Sequence, residues 1–219
     1  MHNLKTDSSG PLDLAARLRL TLVLSRREAA PRTVTELAEA AFDGGVTALQ
    51  LREKDGLSDR EIYEEAVVLR ELCRVRGRLF LIDDRLDIAL AVGADGVHLG
   101  QQDLPAAAAA RLLPPGLILG ISVRTMEEAR AALADGAAYL GVGAIFPTGS
   151  KDGAALVSPE TVREIAALGA PTVAVGGLTP ANARAAWAMG VAGLAVISAL
   201  TRASDPRAAA AGLLEGAGP

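Results

Sequence analysis

The chain reads as α/β, closing into a single (β/α)₈ barrel of the TIM type, and three observations point there. First, a pattern repeats. Gly45-Val46-Thr47-Ala48-Leu49, Gly93-Ala94-Asp95-Gly96-Val97, Gly136-Ala137-Ala138-Tyr139-Leu140 and Gly190-Val191-Ala192-Gly193-Leu194 each set a helix-ending glycine before a short apolar strand. The copies recur about 50 residues apart, too widely for one βα unit each and widely enough for two, which makes eight strands. Second, the strands are short, buried and separated by amphipathic helices, the pattern of a parallel sheet covered on its faces. Third, the turn after the first strand is Ser25-Arg26-Arg27, without the Gly-x-Gly-x-x-Gly expected of the competing architecture, an open doubly wound sheet.

In order along the chain, the apolar run 18–24 is the first strand, with a helix at 35–42. The Gly-punctuated run 44–49 carries the second strand into Gln50-Leu51-Arg52-Glu53-Lys54, and a long charged helix occupies 59–76. The third strand, 79–83, precedes a helix at 86–92, and the fourth, 96–99, precedes the Ala-rich run 105–113. A fifth strand at 117–123 leads to a helix at 125–134. The sixth, 139–144, is followed by a long loop and a helix at 159–168. Strand seven covers 172–175 with a helix at 180–189, and strand eight, 194–197, leaves 206–214 as the last helix. Residues 1–13 are polar and lack the apolar centre of a secretion signal, so they are expected as a flexible leader to a barrel domain spanning 14–219.

Half of the 219 residues are apolar, and a barrel of this length folds as one unit. A net charge of −4 gives no electrostatic case for nucleic acid or an anionic membrane. No apolar run reaches the roughly 18 residues that a membrane span needs. A cytoplasmic protein with small-molecule partners is expected, and a homo-oligomer is compatible with the sequence. Cys73, the only cysteine, excludes a disulfide or a thiolate metal site within one chain and reads as a small packing residue on a helix.

Chemistry in such barrels sits at the C-terminal ends of the strands. At the second strand, alternation sends Gln50, Arg52 and Lys54 to one side and Leu51 and Glu53 to the other. With Leu51 against covering helices, an amide and two cations point inward, which suits an anion carrying a polar ring. Asp84 and Asp103 follow the third and fourth strands, and neighbouring strands lie ~4.8 Å apart, so the two can converge. Two readings stand for them: helix N-caps, or a carboxylate pair holding Mg²⁺ jointly with phosphate. Ser122, near the end of the fifth strand, either donates to a ligand or satisfies a backbone group. The loop 146–153, with Thr148, Gly149, Ser150 and Lys151, fits an anion loop or lid, and also an ordinary turn. Gly176-Gly177 and Ile197-Ser198, after strands seven and eight, suit a phosphate held on free N–H groups. His98 reads as packed and hydrogen-bonded rather than catalytic, and Trp187, Phe42 and Tyr63 read as helix packing.

Together these stretches resemble the thiamine-phosphate synthase family over nearly the whole chain. The likeness rests on Gln50 to Lys54, Asp83-Asp84-Arg85, Val97-His98-Leu99-Gly100-Gln101 with Asp103, Ser122, Phe146 to Lys151, Gly176-Gly177 and Ile197-Ser198. It implies a Mg²⁺-dependent transferase of thiamine biosynthesis. The reaction would join 4-amino-2-methyl-5-hydroxymethylpyrimidine diphosphate to hydroxyethylthiazole phosphate, or its carboxylated form, releasing pyrophosphate. By that likeness Gln50, Leu51, Arg52, Glu53, Lys54, Asp83, Ser122 and Lys151 hold the pyrimidine diphosphate, and Arg52, Lys54, Ser122 and Lys151 are catalytic. Asp84 and Asp103 would bind Mg²⁺, while Thr148, Gly149, Ser150, Gly177, Ile197 and Ser198 would surround the thiazole phosphate. Two positions depart from the family's pattern: Asp83 stands where Asn is usual, and Ser150 where Thr is usual. The second keeps the hydroxyl; the first replaces an amide donor with an acceptor. A related thiazole tautomerase shares the barrel but needs neither the diphosphate cations nor the carboxylate pair.

Overall fold

Eight parallel strands close into a barrel in the computed structural model, which describes residues 11–54, 56–148 and 155–218. They are β1 Leu20–Leu24, β2 Ala48–Leu51, β3 Leu79–Asp83, β4 Gly96–Leu99, β5 Ile118–Val123, β6 Tyr139–Gly143, β7 Thr172–Val175 and β8 Gly193–Val196. Each pairs with the next in sequence and β8 returns to β1, with Leu20 opposite Leu194. The register sets Leu51 beside Ile82, Asp83 beside His98 and Ser122 beside Gly141. One end of the barrel thus collects the polar strand tips.

The helices between the strands start and stop on local chemistry. In α3 (Val34–Asp43), α4 (Asp59–Arg76) and α7 (Met126–Ala134), a Ser or Thr hydroxyl and a Glu three residues on cap the first turn reciprocally. The four glycines of the repeat all sit at positive φ: Gly45 104°, Gly93 64°, Gly136 97° and Gly190 81°. That left-handed step turns the chain from helix back to strand. The remaining helices are α1 Pro11–Arg17, α2 Arg26–Ala29, α5 Leu86–Val92, α6 Ala106–Leu112, α8 Pro159–Ala166, α9 Ala183–Trp187, α10 Ser198–Thr201 and α11 Pro206–Leu214.

Several boundaries differ from the sequence expectation. Helix α1 begins at Pro11, inside the stretch read as leader, and residues 1–10 lie outside those described. Two single-turn helices are additional: α2, started by the Ser25 hydroxyl accepting from the Glu28 N–H at 3.1 Å, and α10 after β8. Strand β2 ends at Leu51, so Arg52 to Lys54 run beyond its ladder. Helix α9 starts later than expected because Asn182 first closes a turn, accepting from the Thr179 N–H and donating to the Gly177 carbonyl.

The apolar core has two layers. Outside the sheet, Leu49, Phe80, Val97, Ile121, Leu140 and Leu194 pack under the helices; inside it, Val23, Ala48, Leu79, Leu81, Tyr139 and Val173 fill the barrel. Phe42 and Trp187 are buried as expected, the indole N–H donating to the Leu213 carbonyl at 3.0 Å. Tyr63 is not: its side chain lies exposed on α4. Cys73 is fully buried, and burial raises its thiol to about 12, which leaves it inert. Among the described residues, no helix is long and apolar enough to cross a membrane.

Candidate active site

The alternation of β2 persists past its last ladder bond and aims three polar side chains at the neighbouring strand tip. Gln50 Nε2 donates to Asp83 Oδ1 at 2.6 Å, and Arg52 Nε lies 3.2 Å from Asp83 Oδ2. Lys54 Nζ reaches the same oxygen at 3.9 Å and Asp84 Oδ2 at 2.6 Å. Asp83 therefore acts as the hub of the amide and both cations. The other parity faces away. Leu51 is buried in the outer core, and Glu53 accepts from the Arg26 backbone N–H next to Glu65. This is the division that strand alternation predicts, with alternate residues serving opposite layers, so the Leu51 and Glu53 side chains point away from the neighbouring strand tip.

Neither Asp84 nor Asp103 caps a helix. The N-cap of helix α5 is Arg85 and that of α6 is Pro105, both without a side-chain cap bond. Asp84 is the one non-glycine residue at positive φ among those described, at 59°, and its N–H is held by the His98 carbonyl at 2.8 Å. That backbone twist turns its carboxylate toward the next loop. There Asp103 accepts from the Gly100 N–H at 2.6 Å, with the Asp84 carboxylate as a neighbouring negative charge. Burial first, then Asp84, raises the Asp103 carboxyl above its ordinary value, while the Gly100 N–H and Lys54 pull it down. Two facing carboxyls want a proton or a cation between them. An all-oxygen pair suits a hard divalent ion, and among the described residues no group of three or more His, Cys, Asp or Glu could enclose a metal alone. Such an ion would complete its shell with water and phosphate oxygens.

A cavity of about 450 Å³ opens at these strand tips. Lys54, Asp103 and Ser122 line it on one side, with Thr148, Gly177, Ile197 and Ser198 on the other. Lys54, Asp103 and Ser122 thus share one space with Thr148, Gly177, Ile197 and Ser198, whereas Gln50, Arg52, Asp83 and Asp84 gather at the adjoining strand tips and are not among its lining residues. Gly177 sits at φ 66°, where a Cβ would lie 2.4 Å from the Pro147 carbonyl oxygen, so the loops after β6 and β7 pack backbone to backbone. Gly149, Ser150 and Lys151 lie outside the described residues. A separate cavity of about 490 Å³ between α2 and the segment after α10 carries Arg27, Arg32 and Arg202. There Arg32 is already donating to the Ala203 and Ser204 carbonyls.

Four further residues, none of them a candidate site residue from the sequence, join the site: Gln101, Arg124, His98 and Tyr139. Gln101 Nε2 donates to the Ser122 carbonyl at 2.7 Å, and Arg124 lines the cavity. His98 is buried and hydrogen-bonded as expected, but its partners are Ser122 Oγ at 2.9 Å and Tyr139 Oη at 2.8 Å. The signal was present: Gly96, His98 and Gly100 share one parity, so the imidazole had to face the barrel interior.

Behind the cavity, Glu53 carries a pH prediction. Burial, opposed by the Arg26 N–H and reinforced by nearby Glu65, raises its carboxyl to about 7. The native state then holds a proton that the unfolded chain releases nearer 4.5, so stability falls as pH rises between those values and levels off above. We expect urea midpoints to drop from pH 5 to pH 8 by the equivalent of about 1 kcal/mol, allowing for solvent screening of a half-buried group. Glu53→Gln should remove that slope; an unchanged slope would place the titration elsewhere.

Comparison with known proteins follows the same lines. The family model described as thiamine monophosphate synthase matches residues 20–200. A thiamine-phosphate synthase of Moorella thermoacetica is 50% identical over 198 residues, 90% of this chain and 94% of that protein. One from Coprothermobacter proteolyticus is 42% identical over 203 residues, covering 92% and 96%. The solved structure of thiamine phosphate pyrophosphorylase from Pyrococcus furiosus superposes with a TM-score of 0.83 at 42% identity, covering 92% of this chain and 96% of that one.

Proposed function

The chain belongs to the thiamine monophosphate synthase family, and we propose that it joins 4-amino-2-methyl-5-hydroxymethylpyrimidine diphosphate to hydroxyethylthiazole phosphate, or its carboxylated form, with Mg²⁺. The products are thiamine phosphate and pyrophosphate. The observation that carries this reading is the single cavity in which Lys54, Asp103 and Ser122 face Thr148, Gly177 and Ser198. One side offers Lys54 and Asp103, with Arg52 and Asp84 at the adjoining strand tips, for a diphosphate. The other offers two hydroxyls, of Thr148 and Ser198, and glycine-rich backbone for a phosphate monoester.

The bond to be broken joins a methylene carbon to a diphosphate oxygen. An electron-rich aminopyrimidine shares the positive charge left on that carbon, so departure of the diphosphate can lead. Arg52 and Lys54 then stabilise charge growing on the leaving oxygens, and Ser122 adds a hydroxyl. Asp84 and Asp103 would hold Mg²⁺, which supplies charge neutralisation on the diphosphate. The thiazole nitrogen is neutral and attacks without a base, in keeping with the lack of a catalytic histidine. Asp83 changes the charge count. The diphosphate brings about −3, the metal +2, the two ligating carboxylates −2, and Arg52, Lys54 and Lys151 +3, near zero in all. Adding Asp83 leaves the loaded site about one unit negative. We infer that this carboxylate orients Gln50 and Arg52 at the expense of some affinity for the diphosphate.

The competing tautomerase reading has no use for Arg52, Lys54 and the facing carboxylates. Incubation with both substrates and Mg²⁺, followed by mass spectrometry, decides between them. Thiamine phosphate and pyrophosphate in equal amounts are expected. Isomerisation of a carboxylated thiazole with the diphosphate left intact would overturn the proposal.

A further inference from the structure

The barrel interior beneath Ser122 holds a hydrogen-bonded row that the proposed reaction does not use. Tyr139, on β6, and His98, on β4, both point inward, as does Ser122 on β5 between them. The strands make room for the two rings: a Cβ on Gly120 would stand 2.2 Å from the Tyr139 ring, and one on Gly141 would stand 2.9 Å from His98 Cε1. Tyr139 Oη lies 2.8 Å from His98 Nδ1, and His98 Nε2 lies 2.9 Å from Ser122 Oγ.

We infer that Tyr139 and His98 are positioning residues that set the polarity of the Ser122 hydroxyl, so that its hydrogen is donated into the cavity toward an oxyanion of the substrate. The direction follows from hydrogen-bond satisfaction. Tyr139 is buried, and among the described residues His98 Nδ1 is the acceptor its hydroxyl has. A buried O–H without an acceptor costs more than a phenol oxygen with spare lone pairs, so the phenol donates and Nδ1 accepts. Burial also drives the phenol well above its ordinary pKa, which keeps the proton on it. A neutral imidazole accepting at Nδ1 carries its hydrogen on Nε2 and donates to Ser122 Oγ. Ser122 then has its own hydrogen left over, on the side that lines the cavity. With the opposite tautomer, Ser122 would donate to His98 and present lone pairs to the diphosphate, a repulsive contact.

This deepens the proposed reaction and rests on it, but its first test needs no substrate. The chain has two histidines, so the ¹⁵N spectrum of histidine-labelled protein is simple, and the His98 signals are those lost in His98→Gln. A protonated Nε2 with a bare Nδ1 is expected; a proton on Nδ1 would overturn the inference, whatever the enzyme's activity. The second test is a double-mutant cycle in the coupling reaction. Tyr139→Phe should lower kcat/KM for the pyrimidine diphosphate about tenfold in the wild-type background and have no further effect beside Ser122→Ala. An equal loss in both backgrounds would mean that Tyr139 acts through packing alone.

Discussion

Replacing Arg52 with alanine should lower turnover about 10²–10³-fold, the usual cost of deleting one donor aimed at developing negative charge. The guanidinium is suited to that task by placement. It extends beyond the end of β2, on the inward parity, and is held 3.2 Å from Asp83 rather than buried in the core. Loss of rate should therefore exceed loss of stability. Folding should still suffer by about 1–2 kcal/mol, because Asp83, with a side chain only 9% exposed, keeps Gln50 and a more distant Lys54 but loses its nearer cation. Steady-state kinetics and a urea titration of the same variant separate the two effects. A variant that unfolds readily but turns over normally when folded would remove Arg52 from the chemistry.

Asp103→Ala should cost at least about 100-fold in turnover at low Mg²⁺, partly recoverable at high Mg²⁺. The carboxylate is not structural in the helix-capping sense, since the N-cap of α6 is Pro105. What it does hold is the Gly100 N–H at 2.6 Å, so some stability will be lost with it. Asp103→Asn keeps an acceptor for that N–H while weakening any ion between residues 84 and 103. Activity of Asp103→Asn as a function of Mg²⁺ therefore reads the metal role apart from the loop. A wild-type Mg²⁺ profile would assign Asp103 to loop closure only.

Much of this arrangement is legible in the chain itself, for reasons that lie in local geometry. Four glycines before four apolar runs mark the helix-to-strand returns because only a left-handed step makes that turn cheaply. Strand alternation sorts the side chains of Gln50, Arg52 and Lys54, which meet Asp83, from those of Leu51 and Glu53, which face the other layer. What alternation does not carry is pairing across the barrel. Tyr139 and His98 lie 41 positions apart, and His98 and Ser122 lie 24 apart. Each looks like an ordinary interior residue until the register sets β4, β5 and β6 side by side. The same holds for Asp84, whose orientation depends on a positive φ at a residue type that adopts it seldom. Helices α2 and α10 escape a periodicity search because a single turn has no period to detect.

In the proposed reaction the diphosphate would leave because cations and a carboxylate pair holding Mg²⁺ receive its charge, with no acid or base at the carbon. Pyrophosphate release by the wild-type protein, measured with both substrates in excess chelator and again after Mg²⁺ is restored, tests this most directly. Release should be abolished in chelator and return with Mg²⁺. Equal release in both conditions would contradict the claim.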